Sequence, residues 1–347
     1  MRRALPLVLL VATVTVAVTA CTPAEPASTD SATAASSDGV FTLYSGRDEA
    51  LVQPLIDLFE EQSGTDVEVR YGNTAELGAL LLEEGDQSPA QVFLSQDAGA
   101  LGALSNAGRF ATLPESITAA VPAGFTSTDD SWVGVTGRAR VIVYDGEALT
   151  AAEVPDSVDA FTDDAWAGRF GIAPSNASFQ AFITAYRVLN GEEAADAWVA
   201  AIAANKPQIF ENNGALLAAV NEGVVEAGLL NHYYWYAQAA ETGAENMRAQ
   251  LSFPEQGDAG AIVNVSGAGL LQTGETDADA LAFIEFLVSA EAQQYFVDET
   301  FEYPLIEGVD APADLPPLDS LVNPDLDLSD LESLEVTQEL LSQYGLI

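Results

Sequence analysis

Val40-Phe41-Thr42-Leu43-Tyr44-Ser45-Gly46-Arg47 opens the folded part of the chain and sets its class. Val40 to Tyr44 reads as a short buried strand, and Ser45-Gly46 as the turn that ends it. Arg47 to Ser63 follows with Leu51, Leu55, Leu58 and Phe59 at helical spacing, and Gly64 stops it. Asp66 to Tyr71 alternates as a strand. Thr74 caps a helix through Glu84, which Gly85 ends. Gln91 to Leu94 is a third strand, followed by a helix from Ala98 to Ala107. This β-α-β-α-β-α order predicts an α/β fold with a mainly parallel sheet. Ligands of such sheets sit beyond the carboxyl ends of the strands. The turns Tyr44-Ser45-Gly46-Arg47 and Ser95-Gln96-Asp97 both hold that position.

A second unit begins near Arg138. Arg138-Ala139-Arg140-Val141-Ile142-Val143-Tyr144 is a strong strand leading away from the first lobe. Further strands are expected at Gly171 to Ala173 and Val225 to Leu230. Helices are expected at Phe179 to Leu189, opened by Ser175-Asn176-Ala177-Ser178, and at Ala194 to Ala204 and Ala215 to Glu222. The chain then returns through a strand at Ala261 to Val265 and a helix at Ala278 to Val288. The expectation is two lobes, residues 40–137 with 264–308 and residues 138–263, joined by two crossing strands with a cleft between them. Residues 309–347, rich in Pro, Asp and Leu, read as a loosely packed C-terminal extension. There is no internal repeat.

Upstream of Val40 the character changes. Arg2 and Arg3 precede Ala4 to Ala20, which is apolar or small and carries no charge, and Val18-Thr19-Ala20 runs into Cys21. That order predicts an export signal over residues 1–20. The small residues before Cys21 resemble a bacterial lipobox, which implies a lipid on Cys21 as the new N-terminus. The other readings are a plain signal peptide with a chance cysteine, or an uncleaved anchor helix. Cys21 is the only cysteine, so no disulfide can form within one molecule. Residues 21–39, rich in Ala, Ser, Thr, Pro and Asp, read as a flexible lipid-anchored linker. The expected location is therefore extracytoplasmic, at the cell membrane. No later stretch is long and apolar enough to span a bilayer.

The chain carries 11 basic and 53 acidic residues, a net charge of −42. Removing Arg2 and Arg3 with the signal makes it more negative still. Such a surface repels nucleic acid and anionic headgroups. Two readings of the acidity stand: solubility in a salty or crowded exterior, and general attraction of cations.

The most unusual local feature is Asn231-His232-Tyr233-Tyr234-Trp235-Tyr236, where the strand Val225 to Leu230 gives way to a helix. Adjacent tyrosines ordinarily bury their rings as packing residues. The alternative is a metal. Fe³⁺ is small, hard and highly charged and favours anionic oxygen. Such a cation drives off a phenol proton well below its usual pKa near about 10. Composition alone leaves both readings open.

Five motifs in order extend the argument: Tyr44-Ser45-Gly46-Arg47, Arg70-Tyr71-Gly72-Asn73-Thr74, Ser88-Pro89-Ala90-Gln91-Val92-Phe93, Gly137-Arg138-Ala139-Arg140-Val141-Ile142-Val143-Tyr144, and Asn231-His232-Tyr233-Tyr234. With them the chain resembles the ferric-ion-binding proteins of bacterial iron ABC transporters, within the type II periplasmic-binding-protein superfamily, over nearly all of residues 40–308. The resemblance implies a two-lobed fold with the ligand in the cleft. It implies Tyr233 and Tyr234 as principal Fe³⁺ ligands, and Tyr144 as a further one, since some branches use a tyrosine at the end of the crossing strand. A core tyrosine there is equally ordinary.

Many members of that family complete the metal's shell with a synergistic anion such as carbonate or phosphate. By position, Thr136, Gly137, Asn213 and Asn231 would donate hydrogen bonds to it, and Arg47 and Arg138 would supply charge. Arg47 also sits beside a helix N-terminus, which favours anions. The competing reading of both arginines is a salt bridge to abundant acid. Two positions depart from the branches that use histidine and glutamate. They hold Asp48, still an oxygen ligand, and Gln96, a weak neutral one. His232, the lone histidine, matches no ligand of the family and reads as structural. The implied partners are an ABC permease and its ATPase, with the binding protein itself a monomer.

Other chemistries have less support. One histidine, His232, suffices by count for a Ser-His-Asp system, but the lack of a Gly-x-Ser-x-Gly elbow argues against a hydrolase. Carboxylate pairs discriminate nothing in so acidic a chain, and no Walker loop or dinucleotide fingerprint occurs. The expectation is a binding protein rather than an enzyme, with another small anion or metal as the alternative ligand and a secreted hydrolase as the alternative class.

Overall fold

The computed structural model describes Ser37 and residues 39–313, 315–321 and 326–347. Cys21, the signal and nearly all of the linker lie outside these residues. The first unit follows the expected order: β1 (Val40–Ser45), α1 (Glu49–Ser63), β2 (Asp66–Tyr71), α2 (Thr74–Glu84), β3 (Val92–Ser95), α3 (Ala98–Asn106) and the short α4 (Glu115–Thr118). Asp48, Asn73 and Asp97 cap α1, α2 and α3, each accepting a backbone N–H of the first turn. The chain continues through β4 (Val133–Asp145), β5 (Phe170–Ile172), α5 (Ala177–Asn190), α6 (Glu192–Ala204), β6 (Gln208–Ile209), α7 (Asn213–Asn221), β7 (Ala227–Asn231) and α8 (His232–Thr242). It closes with β8 (Ala249–Ser252), β9 (Val263–Leu270), α9 (Ala278–Leu287), α10 (Ala290–Tyr295), β10 (Tyr303–Pro304) and α11 (Leu334–Gln343).

The strands run β2-β1-β3-β9-β4-β7-β5-β6, with β8 and β10 also paired to β4. β4 belongs to both halves. Its first part pairs with β9 and β10 beside β1–β3, and its second part pairs with β7 and β8. The result is the expected two-lobed α/β architecture, with β4 and β9 crossing between the lobes. The sheet is mixed rather than mainly parallel. β1–β3 pair in parallel, as do β5, β6 and β7, but β9 runs antiparallel to β3 and β4, and β4 antiparallel to β7. Two crossings of one boundary in opposite directions enforce this.

Aromatic clusters fill the two cores. Phe41, Phe59 and Phe283 meet in the first lobe with centroids 5.1–6.3 Å apart. Phe161, Trp166 and Phe170 meet in the second. Offset and edge-on contacts of this kind add to area burial.

The C-terminal segment is not loose. Leu328, Leu331, Leu341 and Leu346 are buried, and Thr337 is fully enclosed. Leu spacing in Leu328-Ser329-Asp330-Leu331 fits a tight turn of helix, and burial of each such side chain is worth about 1.5–3 kcal/mol. The Pro- and Asp-rich composition conceals these few apolar anchors.

Candidate functional site

Gly46 ends β1 at a place only glycine can occupy, since a Cβ there would fall on Thr74. The Thr74 hydroxyl donates to the Gly46 carbonyl at 3.1 Å and accepts from the Gln96 N–H at 3.1 Å, drawing the turns after β1 and β3 together. Facing them from the second lobe are Ser175, Asn176 and Ala177 at the start of α5. The cleft so formed has a volume of about 490 Å³, with Arg47, Asp48, Asn73, Gln96, Asn176 and Glu211 in its walls. A deeper recess shares Gln96 and Ala177 with it and is lined by Asp97, Arg138, Arg140, Asn231 and Asn264. Asp48, Asn73, Asp97, Asn176 and Asn231 are all helix N-cap residues. Several positive helix ends therefore converge on one space, which suits an anion.

Two guanidiniums project into the recess, because positions two apart on a strand share a face. Arg138 is only 3% exposed; its Nε has no hydrogen-bond partner, and its charge lies within electrostatic range of Asp97 and Glu302. Arg140 is 2% exposed and donates to the carbonyls of Ser178 at 3.2 Å and Leu229 at 3.0 Å. Its plane lies over Phe179 and Phe182, 5.2 and 5.0 Å from the ring centroids. No carboxylate pairs with it among the described residues, and burial lowers its pKa to about 9. Asn213 donates to Asn176 at 3.3 Å and to Ser178 at 3.0 Å, while its own side-chain oxygen has no partner.

Tyr233 and Tyr234 stand at the first turn of α8. Their rings stack with centroids 4.4 Å apart and planes 26° from parallel. Both are half-buried. Burial, and then the neighbouring phenol, push the Tyr233 pKa well above the usual value, against the pull of Arg138. Arg47 lies within electrostatic range of both phenols, and Arg140 of Tyr234. His232 points the other way. Its Nδ1 accepts the Ala139 N–H at 3.1 Å and its Nε2–H donates to the Phe301 carbonyl at 2.9 Å. It is fully enclosed, with a pKa lowered to about 4 by burial. Both ring nitrogens are used, so His232 is structural, as expected. Among the described residues no cluster of three or more His, Cys, Asp or Glu side chains is placed to hold a metal. The phenols are the distinctive donors.

The model of a family described as bacterial extracellular solute-binding protein matches residues 87–327. The Fe(3+)-binding periplasmic protein of Serratia marcescens is 34% identical over 91% of this chain and 93% of its own length. The chain belongs to the bacterial extracellular solute-binding protein family. The major ferric iron-binding protein of Neisseria meningitidis serogroup B is 33% identical over 88% of this chain and 92% of its own. Among solved structures, iron-bound HitA from Pseudomonas aeruginosa superposes with a TM-score of 0.82 at 31% identity, covering 88% of this chain and 99% of that one. The Trichodesmium protein IdiA (FutA), in complex with iron and citrate ligands, has a TM-score of 0.77 at 29% identity, covering 89% and 100%. The resemblance read from the five motifs is borne out.

In this solute-binding protein Arg138 and Asn231 line the recess, Asn213 reaches its edge through Ser178, and Tyr233 and Tyr234 stand outside its lining, within electrostatic range of Arg138 and Arg140 respectively. Arg47 reaches the same wall but is committed: it forms a buried ion pair with Glu302, with N–O distances of 2.8 and 3.3 Å. Asp48 lines the cleft with its carboxylate exposed, accepting from the Ala50 N–H at 3.0 Å.

Three expected site residues fall elsewhere. Tyr144 pairs across the sheet with Ala227, whereas Asn231, next to the tyrosine pair, stands opposite Arg140. Four residues of strand separate them, about 13 Å at about 3.3 Å per residue. Tyr144 is a buried core residue at the wrong end of the strand. Thr136 is fully buried with its hydroxyl donated to Glu302. Gly137 is covered by Leu305, Tyr303 and Val263, because β10 pairs over both positions. Neither faces the recess.

Arg140, Asn176, Ser178 and Asn264 line the site and were not singled out from sequence. Arg140 was legible, two residues beyond Arg138 on one strand face. The others needed the α5 turn and β9 to be brought to the same wall.

Proposed function

We propose that this chain is an extracytoplasmic binding protein that carries Fe³⁺, with Tyr233 and Tyr234 as metal ligands, and not an enzyme. The reading is supported above all by the stacked phenol pair near two buried guanidiniums, one of which, Arg140, has no carboxylate paired with it among the described residues. The names of the relatives agree with it. Without cargo, burial holds the Tyr233 proton on. A trivalent ion displaces both protons, and the phenolates then lie within the field of Arg47, Arg138 and Arg140.

Charge balance calls for a further ligand. Two phenolates leave one positive charge on the ion, and Arg138 and Arg140 add two more. An anion such as carbonate or phosphate completes the site, held by Arg138, Arg140, Asn231, Asn213 and the N–H groups opening α5. Asp48, exposed in the cleft wall, is available as an additional ligand. The lobes close on the loaded cleft by bending at β4 and β9, a motion of a recognised kind. The loaded form is then presented to an ABC permease with its own ATPase, the carrier being a monomer held at the membrane by a lipid on Cys21.

Adding ferric citrate to the purified protein should produce the visible phenolate-to-iron charge-transfer colour. Tyr234→Phe should abolish the colour while leaving the thermal unfolding of the metal-free protein within about 1 kcal/mol, since only a hydroxyl is lost. A variant that retained both iron and colour would overturn the ligand assignment. Arg138, buried with its Nε unbonded, also favours a second reading, binding of a small anion without metal. Under that reading phosphate alone would stabilise the protein, and Tyr233→Phe would leave that stabilisation unchanged.

A further inference from the structure

The C-terminal segment touches both lobes: residues 328–332 meet α3 and also the neighbouring α5, and α11 then continues along the second lobe. Residues 328–332 lie against α3 of the first lobe. Gly99 and Gly102 make this contact: a Cβ on Gly99 would stand 2.7 Å from the Leu331 carbonyl oxygen, and one on Gly102 2.6 Å from that of Ser329. Asn106, at the end of α3, donates to Glu332. Leu328 and Leu331 complete the seat.

From Leu334 onward the same segment belongs to the second lobe. α11 packs on α5 and α6. Thr337 shares a buried hydrogen bond of 2.7 Å with Thr184 on α5. Arg187 donates to the Ser333 carbonyl at 2.9 Å and to Thr337 at 3.0 Å, while its other edge holds Glu192. Gln338 donates to Gln180 at 3.0 Å, and Tyr344 to Asp196 at 2.9 Å. Between the two anchorages, Leu331, Glu332, Leu334, Glu335 and Gln338 wall a cavity of about 530 Å³ whose other sides are α2, α3 and the start of α5. Asn73, Thr74, Ser175 and Ala177 border both this cavity and the ligand cleft. The segment therefore closes one end of the cleft.

We infer that residues 328–346 act as a strap that ties α3 to α5 and limits how far the lobes separate, so that it sets the rate at which cargo leaves. β4 and β9 are the covalent crossings about which the lobes turn, and the strap is a third link away from them. Opening the cleft moves α3 from α5, which stretches the strap or unseats one end. The lobe-1 end is the weaker, because it rests on one short turn and a glycine-floored contact, whereas α11 is held by several buried hydrogen bonds. The tether does not depend on the identity of the cargo; only its effect on release rests on the ferric reading.

Gly102→Val drives a branched side chain into the Ser329 carbonyl without altering any cleft residue. Hydrogen exchange should show residues 328–332 losing protection while α11 keeps it. X-ray scattering of the metal-free protein should then report a larger radius of gyration, and iron transfer to excess chelator should quicken about tenfold. If the Gly102→Val variant keeps residues 328–332 protected, Leu331→Asp unseats them with a buried charge, and the same measurements apply. Unseating with no change in the radius of gyration overturns the strap, whether or not the protein binds iron. A larger radius with unchanged release would retain the strap but reject its control of cargo. Loss of iron colour in the parent protein would strike at the ferric reading alone.

Discussion

At the scale of the residue, Arg140 presents a conflict between stability and ligand binding. Its guanidinium is buried without a paired carboxylate among the described residues, held by two carbonyls, the Ser178 hydroxyl and two aromatic faces. Burying such a charge costs several kcal/mol, which a matched apolar side chain would not incur. Arg140→Met keeps the length and the packing on Phe179 and Phe182. Differential scanning calorimetry of the metal-free variant should show an equal or higher Tm. Titration with ferric citrate should show affinity reduced at least about tenfold, because the charge that stabilises a Tyr234 phenolate has gone. A lower Tm with full affinity would mean the arginine serves the fold.

Residue chemistry also explains which site positions could be read in advance. Tyr233-Tyr234 stands out in the sequence as two adjacent phenols directly after a buried strand, and the structure sets both on the first turn of α8. Thr136 and Gly137 misled because their neighbours in the sheet, Tyr303 and Pro304, lie far along the chain. The alternative reading of Arg47 as an ion-paired residue describes its link to Glu302, although that partner is 255 residues away and invisible to local pattern.

At the scale of the element, β4 is the member on which the rest hangs. It runs 13 residues, every one buried, and begins five residues before the pattern suggests. The early part, Val133-Gly134-Val135-Thr136-Gly137, lacks the apolar run that marks a strand. Gly134 is required because a Cβ would meet the Phe125 carbonyl and Leu305. β9 extends beyond its expected end for a similar reason: Gly267 sits under Leu101 and Gly269 under Phe110. Close packing demanded the glycines, and the glycines hid the strands.

The far end of β4 is fastened by charge. Asp145 accepts from Arg248 at 2.5 Å through both oxygens, joining β4 to β8. It also accepts from the Glu147 N–H at 2.9 Å. These bonds, led by the one to the Arg248 side chain, hold its pKa below the usual carboxylate value. The unfolded chain therefore takes up the proton at higher pH than the folded one. The stabilisation is complete above the ordinary carboxylate pKa near about 4 and is lost as pH falls through the lower folded value. Asp145→Asn should lower Tm at neutral pH, and the gap from the parent should narrow progressively in melts below about pH 4. A gap constant with pH would show that the ion pair is not its source.

At the scale of the whole molecule, 53 acidic residues against 11 basic ones make self-repulsion a general destabilising load. Raising salt to about 0.15 M shortens the screening length to about 8 Å and should relieve it. Melts of the metal-free protein should move upward with sodium chloride over that range. A flat response would mean the acids are already neutralised locally, by capping or pairing.

The sequence by itself determined the α/β class, the succession of strands and helices in the first unit, and the adjacent phenols that follow the strand β7. Each of these follows from local periodicity or from residues adjacent in the chain. Only the tertiary structure decided the antiparallel crossing strands, the placement of Tyr144 away from the site, the commitment of Arg47 and Thr136 to Glu302, and the docking of the C-terminal strap. All depend on partners brought together from distant parts of the chain. Which side of a sheet a group faces, and what covers it, is a property of register and packing that no single segment carries.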